Sequence, residues 1–404
     1  LYKQRHFGVQ NYMIDATQRS GIPVDPDYFL RPENIWTPSE RSGSFIEGNY
    51  EAPNNFDASS SVYSGYLMTE MTLFDKLKAV YGARLEKADM YYTGTNIFGV
   101  TFKDQHTLDE LNILPSVNLV YALNRTLNVR ASYSQTVARP SFREKSTAQI
   151  NDPITKRLFN GNLDLRQTDI DNYDFRVENF FPAGDMVSFS LFYKQFDKHI
   201  ELVTYDVATN NVKPRNSGES RVYGAELEFK KRLGFISPVL TGFTFGTNVT
   251  VARSEVDMRS VYVNDSAPRT TEFESRKMTA REGEIVKDTR PMGGQSPYLL
   301  NTYLNFSDAE NLLNANLSYN VQGESLFIIG VGAVPDIYTQ PFHSLNFNVY
   351  RNVGQENRNR IAIGVNNILK SERVDLYKGY GNSEAIYSIF RPGRTFSVTY
   401  AVSF

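Results

Sequence analysis

The last nine residues, FSVTYAVSF at 396–404, decide the fold. Phenylalanine, valine and tyrosine occupy every even position, and serine, threonine or alanine fills every odd position between them. Because successive side chains of a β-strand point to opposite faces, a strand here has one large apolar face and one face of small side chains. The first face suits lipid, and the second suits an aqueous interior.

The same alternation extends upstream in segments of roughly ten residues, the length that a strand needs to cross an outer membrane. Clear examples are residues 172–180, 187–194, 225–230 and 243–251. We predict about 13 strands, near 60–74, 77–92, 113–123, 126–138, 166–180, 185–205, 211–232, 238–256, 294–306, 311–324, 342–353, 358–370 and 392–404.

The connections between these strands alternate in length. Short ones lie at 74–76, 124–125, 182–184, 234–235, 307–309 and 354–356, and long ones lie at 93–112, 139–165, 257–293, 325–341 and 371–391, with the short link 206–210 as an exception. Short periplasmic turns and long extracellular loops are typical of bacterial barrels. A soluble sandwich or propeller also alternates, but its strands are usually shorter. The pattern therefore favours an all-β, transmembrane, antiparallel β-barrel.

Composition agrees with this interpretation. The chain has 27 Phe, 25 Tyr and 1 Trp, as expected for aromatic girdles at two membrane interfaces. The mean hydropathy is only −0.41, because a barrel presents just every second residue to lipid. A net charge of −2 gives no basic surplus for nucleic acid, and the absence of cysteine excludes disulfides and cysteine-ligated metal.

The number of predicted strands suggests an incomplete wall. Counting back from a periplasmic C-terminus predicts that residues 1–59 are an extracellular loop region leading into the barrel, and that 60–404 hold its C-terminal strands. An odd set of antiparallel strands is not expected to close, and an open edge in lipid costs several kcal/mol per unpaired group. We expect a signal peptide and partner strands upstream, or partner strands in another chain.

Six short segments, in order along the chain, are similar to the barrel of TonB-dependent transporters. They are the hairpin 56–68 with 77–86, then 114–121, 131–144, 221–228, 365–369 and the tail 391–404. The resemblance implies a barrel of 22 strands around an N-terminal plug domain, which this sequence is expected to lack. It also implies a bacterial outer-membrane receptor that takes up a scarce nutrient with energy from the TonB complex, which acts through the plug.

No catalytic or metal site is expected. The four histidines lie far apart, without the spacing of a metal motif, and no nucleophile or nucleotide-binding motif appears, so we predict no enzyme activity and no cofactor. Candidate ligand-binding residues lie in the first extracellular loop: Tyr28, Arg31, Trp36 and Arg41. An aromatic side chain there can stack on a sugar or a siderophore, although packing within a folded loop is its more common role.

Other charged and aromatic residues have two interpretations each. We expect Arg130, Arg176, Glu178, Glu226 and Glu228 to face the lumen, where they meet the plug or serve solvation and cross-strand pairing. The many charges of the segment 257–290 indicate a mobile lid or a hydrated surface. Phe404 resembles the terminal signal of barrel assembly, and it is also the last lipid-facing residue of its strand.

Two other functions remain open beside nutrient uptake. A passive 14-stranded porin-type channel needs one more strand within residues 40–54, and a non-transporting surface or secretion component can use the same barrel. Outer-membrane lipid is an expected partner, and a surface lipoprotein is a further candidate. The substrate, siderophore, oligosaccharide or similar, is not readable from the sequence.

Overall fold

The computed structural model describes residues 1–8, 11–15, 31–39, 41, 43, 45–49, 52–152, 157–204, 211–263, 269–308, 310, 312–354, 358–381 and 383–402. Its strands are β1 (Tyr2–Gly8), β2 (Asn11–Asp15), β3 (Phe45–Asn49), β4 (Asn55–Leu73), β5 (Leu77–Thr95), β6 (Thr101–Ala122), β7 (Leu127–Ala138), β8 (Gln149–Asp152), β9 (Arg157–Asn160), β10 (Thr168–Phe180), β11 (Met186–Asp197), β12 (Ile200–Thr204), β13 (Asn211–Asn216), β14 (Ser220–Arg232), β15 (Phe243–Asp257), β16 (Thr289–Arg290), β17 (Tyr298–Ser307), β18 (Leu313–Gln322), β19 (Ser325–Ile328), β20 (Asp336–Thr339), β21 (Phe342–Val353), β22 (Asn359–Asn366), β23 (Arg373–Lys378), β24 (Ala385–Phe390) and β25 (Thr395–Val402). Within the described residues one α-helix, α1 (Glu272–Met278), lies between β15 and β16.

Most of these strands belong to one large sheet, which we call the main sheet. Its order is β1-β4-β5-β6-β7-β10-β11-β14-β15-β17-β18-β21-β22-β25, with β16 beside β15, so the described residues contribute 15 strands to it. Neighbouring strands along this path pair antiparallel, for example β10 with β7 and β11. The predicted all-β, antiparallel fold is therefore confirmed. The sheet begins before residue 60, because β1 pairs with the first residues of β4.

The main sheet has two chemically different faces, as the alternation predicts. In register across four neighbouring strands, Tyr133 lies opposite Tyr173, Tyr173 opposite Tyr193, and Tyr193 opposite Tyr223. Exposed apolar side chains continue this face, which we call the apolar face; they include Phe175, Phe189, Leu191, Leu227, Phe396, Val398 and Tyr400. The intervening positions, with serine, asparagine and charged residues, form the polar face. No helix in the described residues is long and apolar enough to span a bilayer.

Strands from the long connections form a second layer, which we call the cap. They make two four-stranded sheets, β12-β13-β9-β8 and β19-β20-β23-β24. A parallel bridge between Val203 and Ile329 joins the two sheets, and Ile329 exchanges backbone hydrogen bonds of 2.9 Å with Leu202 and Thr204. The bridge residues and Leu326 are almost completely buried, so apolar burial reinforces the joint.

The cap corrects two of the predicted strands. The stretch predicted as 185–205 divides into β11 and β12, and the stretch predicted as 211–232 divides into β13 and β14. Lys198, which lies between β11 and β12, has a φ of 57°, a left-handed conformation that interrupts a strand. The short link 206–210 therefore joins two cap strands, and the connection between main-sheet strands β11 and β14 is long. The predicted long connection 93–112 was wrong: β5 extends to Thr95 and β6 begins at Thr101, so only residues 96–100 link these two long strands.

The two faces give a test of membrane orientation. Leu227 lies on the apolar face opposite Phe189 and Val249, and we expect Leu227→Arg to cost about 2–4 kcal/mol of folding free energy in a bilayer. Urea unfolding of the protein in phospholipid vesicles measures this cost. The matched control is Asn248→Arg on the polar face, opposite Glu228, which we expect to be tolerated. Equal losses in the two variants would contradict the assignment of faces.

Candidate functional site

Four charged side chains form a continuous ladder across the polar face. Arg130 Nε lies 2.5 Å from Glu178 Oε1, and Arg176 Nε lies 2.9 Å from Glu178 Oε2. Arg176 Nη2 continues the chain to Glu228 Oε2 at 2.9 Å. Arg130 belongs to β7, Arg176 and Glu178 belong to β10, and Glu228 belongs to β14. Because β11 lies between β10 and β14, the charge ladder passes over β11 and extends across four neighbouring strands.

The register explains the order of charges in the ladder. Arg130 and Arg176 lie directly opposite each other, an arrangement of like charges that destabilises a sheet by itself. Glu178, whose side chain is 5% exposed, accepts hydrogen bonds from both guanidinium groups and offsets that repulsion. Glu226 is separate from the ladder and accepts a hydrogen bond of 3.3 Å from Thr250 Oγ1. The structure thus brings together four of the five residues predicted to face the lumen.

A cleft of about 680 Å³ lies beside the ladder on the polar face. Its walls mix charged and aromatic side chains, among them Asp174, Arg176, Phe192, Lys194, Phe196 and Glu226. The segment 292–295 forms another part of its lining, and two backbone contacts hold that segment to the cap. Gly293 N donates to Glu201 Oε1 at 2.6 Å, and Gly294 N donates to Leu326 O at 2.7 Å. Such a lining suits a polar peptide or ligand with aromatic groups.

Six charged residues, three of them buried and three partly buried, hold the cap together, and we call them the cap charge network. They are Glu201, Arg215, Glu272, Arg276, Arg290 and Asp336. Arg290 binds both carboxylate oxygens of Glu201, at 3.0 and 2.7 Å, and its Nε donates to Glu272 at 2.6 Å. Arg276 binds Asp336 with two hydrogen bonds of 3.0 and 2.8 Å. Bidentate pairs of this kind fix geometry as well as charge.

The network is electrically balanced, with three carboxylates and three guanidinium groups. Burial of Glu272 works to raise the pKa of its carboxyl, but Arg290, Arg215 and Arg276 outweigh burial and lower that pKa to about 2. Burial likewise opposes ionisation of Glu201, yet Arg290 and His199 hold the pKa of Glu201 well below its ordinary value. Both carboxyls are therefore charged at neutral pH.

This network corrects in part the prediction that residues 257–290 are a mobile lid or a hydrated surface. Buried residues anchor the segment, although most of its described charged side chains are exposed, among them Arg259, Arg269, Glu274, Lys277, Arg281 and Glu282. Glu272 and Arg290 are buried, and so are the apolar residues Met258 and Val261 in the same segment. Sequence analysis also missed helix α1. The Thr271–Glu274 pair was the available signal, because it forms a capping box: Thr271 Oγ1 accepts from Glu274 N, and Glu274 Oε2 accepts from Thr271 N at 2.8 Å.

The predicted ligand-binding residues of the first loop are exposed where the structure describes them. Arg31 and Arg41 are on the surface, and Trp36 is 38% exposed. Tyr28 lies outside the described residues. So does Phe404, since the described part of β25 ends at Val402.

One group of potential metal ligands exists in the described residues, on the same face as the exposed Leu85 and Leu111. Asp89, His106 and Asp109 bring their ligand atoms within 4.8 Å of one another. However, the Lys87 ammonium bonds to Asp109 and lies 3.4 Å from Asp89 Oδ1. The Lys87 cation thus already occupies the space between the two carboxylates and offsets one of their two negative charges.

We expect Arg290→Met to loosen the cap without unfolding the main sheet. The change leaves Glu201 and Glu272 buried with fewer partners, which typically costs about 3–5 kcal/mol. Hydrogen exchange of the backbone amides in β12 and β19 should accelerate, and exchange in β14 should stay unchanged. The control is Arg281→Met, which removes an exposed arginine of the same segment. Unchanged exchange in β12 and β19 would refute the stabilising role of the network.

The lowered pKa of Glu272 predicts that acid weakens the cap. A carboxyl with a depressed pKa stabilises the fold fully above its unfolded value of 4.5, and this contribution disappears as the pH falls toward about 2. Hydrogen exchange in α1, corrected for the intrinsic rate at each pH, should therefore increase across this interval. Exchange in the main-sheet strand β14 serves as the reference. Protection of α1 that does not depend on pH over this range would rule out the effect.

Comparison with known proteins gives the family. The profile described as "TonB dependent receptor-like, beta-barrel" matches residues 6–368. Among solved structures, the siderophore receptor PiuA from Acinetobacter baumannii is 12% identical, with a TM-score of 0.59, over 89% of this chain and 45% of PiuA. The ferric yersiniabactin uptake receptor FyuA from Yersinia pestis is 17% identical (TM-score 0.54; 89% and 49% covered). The ferric citrate transporter FecA, in its unliganded form, is 12% identical (TM-score 0.58; 89% and 47% covered).

These likenesses support the fold, and the chain spans less than half the length of each of the three. No curated protein sequence matches it. The family profile covers most of the chain, in agreement with the resemblance seen in its motifs and with its antiparallel main sheet. The chain belongs to the TonB-dependent receptor-like β-barrel family.

Proposed function

We propose that this chain forms part of a bacterial outer-membrane receptor that takes up a scarce nutrient with energy supplied by TonB. The observation that carries the proposal is the polar face, where a charge ladder near the short turns adjoins a cleft that reaches toward the folded cap. An apolar face on the same sheet supplies the complementary lipid contact. Together with family membership, these features support a polar passage through a lipid-embedded wall.

In this proposal further strands complete the wall, to a total of 22. Within the described residues, β25 pairs only with β22, and β4 beyond Ser61 pairs only with β5. Both edges therefore present unpaired backbone groups, which lipid does not tolerate. In the complete receptor a plug domain fills the lumen, where Arg130, Arg176, Glu178, Glu226 and Glu228 contact it. TonB acts on that plug.

Ligand capture is the proposed role of the part of region 1–59 that lies between β1 and β4 in the chain, and we place that part outside the cell. β1 itself and the start of β4 belong to the main sheet. The exposed Arg31, Trp36 and Arg41, with Tyr28, supply cationic and aromatic groups for an anionic or ring-containing ligand. Siderophore and oligosaccharide are both candidates, and the similar structures include a siderophore receptor. A surface lipoprotein is a candidate partner, and Phe404 is a candidate assembly signal.

The passive 14-stranded channel has less support. Its extra strand within residues 40–54 corresponds to β3, but β3 pairs with β2 and not with the main sheet. A 14-stranded ring would also need β1 to pair with β25, and in the described residues β1 pairs with β4 alone.

Growth on defined nutrients tests the proposal. Deletion of the encoding gene should abolish growth on one limiting iron or glycan source, and deletion of tonB should produce the same defect. The variant Arg31→Ala/Trp36→Ala/Arg41→Ala, produced at normal surface level, should take up the limiting nutrient more slowly because it captures it less tightly. The control is Arg281→Ala, which removes an exposed arginine from another segment.

Each alternative predicts a different result. Growth that needs this gene but not tonB indicates a passive channel. No growth defect on any source, together with a surface lipoprotein recovered on the purified protein, indicates a non-transporting surface component. Either result contradicts the uptake proposal.

A further inference from the structure

Two exposed arginines stand together on the apolar face, at the end of the strands nearest the cap. Arg221 belongs to β14 and lies opposite Glu255 of β15, and Arg253 lies two residues before Glu255 on β15. The side chains of Arg221 and Arg253 are 55% and 70% exposed, whereas that of Glu255 is 13% exposed. The two cations therefore face outward, and the carboxylate between them is mostly covered.

Glu255 fixes the positions of both guanidinium groups. Its Oε2 accepts from Arg221 Nε at 2.8 Å, and its Oε1 lies 2.8 Å from Arg253 Nε. Tyr223 donates a further hydrogen bond of 3.4 Å to the same carboxylate. Two arginines thus share one acid, which leaves one net positive charge and several N–H donors directed outward. Paired guanidinium groups of this kind match the tetrahedral oxygens of a phosphate.

The location of this pair points to the membrane boundary. Arg253 lies opposite Tyr223, in the tyrosine row that crosses the apolar face. Val251, the next residue toward the middle of this face, is 59% exposed. Aromatic rows mark the level at which hydrocarbon gives way to lipid headgroups. The arginines are therefore at the depth of headgroup phosphates.

The surrounding acids decide from which side an anion can approach. Glu219, Asp257 and Asp288 line the same cleft, of about 290 Å³, as Arg221, and they lie beyond the arginines on the side of the cap. Arg259 neutralises one of them, with its Nη2 3.1 Å from Asp288 Oδ2. A free anion arriving from water meets these carboxylates first, and like charges repel it. A phosphate carried by a lipid arrives along the apolar face and reaches the arginines first.

We propose that Arg221 and Arg253, spaced by Glu255, bind the phosphate of a phosphorylated lipid in the outer leaflet of the membrane. This inference rests on the membrane placement within the proposed function, and it adds a specific lipid site to the outside of the wall. The site is distinct from the charge ladder and the cleft of the polar face.

Binding of lipid A, a phosphorylated glucosamine-disaccharide lipid, to the purified full-length protein in detergent micelles tests the site. The variant Arg221→Gln/Arg253→Gln should bind roughly 30-fold more weakly, since each arginine near an anionic surface contributes about fivefold. The variant Arg221→Lys/Arg253→Lys keeps both charges beside Glu255 and should retain much of the affinity. Arg351→Gln is the control, because Arg351 is an exposed arginine of the apolar face at the opposite end of the main sheet.

Three results would overturn the inference. Dephosphorylated lipid A that binds as tightly as lipid A would exclude phosphate recognition, and inorganic phosphate that competes fully would assign the site to a free anion. An equal loss in Arg351→Gln would show nonspecific attraction. Resistance of the folded protein to heat in detergent gels shows which variants are folded. Because the titration uses micelles, its outcome is independent of the growth assay that tests uptake.

Discussion

Backbone hydrogen bonding is the constraint on which this structure depends. Inside a bilayer there is no water to pair with N–H and C=O groups, so each strand must find both partners within protein. The antiparallel path of the main sheet gives each of its strands from β5 to β22 a neighbour on each side. Once the path is set, side-chain alternation follows from geometry, and it places tyrosines on one face and the charge ladder on the other.

The cap follows a different physical rule. Its strands bury apolar side chains such as Ile328 and Ile337, and its charged residues are buried only because each has a partner of opposite sign. Buried ion pairs add little net stability compared with apolar packing. Removing one partner is nevertheless costly in free energy, and the hydrogen bonds of a pair fix the relative orientation of its two side chains. The cap charge network therefore specifies how helix α1, β12, β16 and β20 sit against one another. The long connections consequently form an ordered layer.

The main sheet was predictable from the sequence to a large extent, and the cap was not. Period-2 alternation in FSVTYAVSF predicts β25, because a strand's two faces are a local property of the chain. Burial of Arg290 is not local: its partner Glu201 is 89 residues away in sequence. A charge-rich segment gives the same pattern whether solvent or distant residues neutralise it. The division between β11 and β12 was missed for a similar reason, since both parts continue to alternate. The alternation predicts that Arg130, Arg176, Glu178 and Glu228 share one face of the sheet. It does not predict that they form one ladder, because that depends on which residues of neighbouring strands lie opposite each other.

The bridge between Val203 and Ile329 also bears on the order in which the molecule can be built. The contacts that join the two cap sheets connect residues far apart in sequence. Val331 N, for example, donates a hydrogen bond to Thr204 Oγ1, 127 residues away in sequence. Chain segments so far apart meet slowly, because closing a large loop costs entropy before any contact repays it. Strands β12 and β13 therefore cannot complete their packing until the chain has been synthesised through β19. Until then the apolar side chain of Val203 stays exposed to solvent. During that interval the nascent protein carries its greatest risk of aggregation.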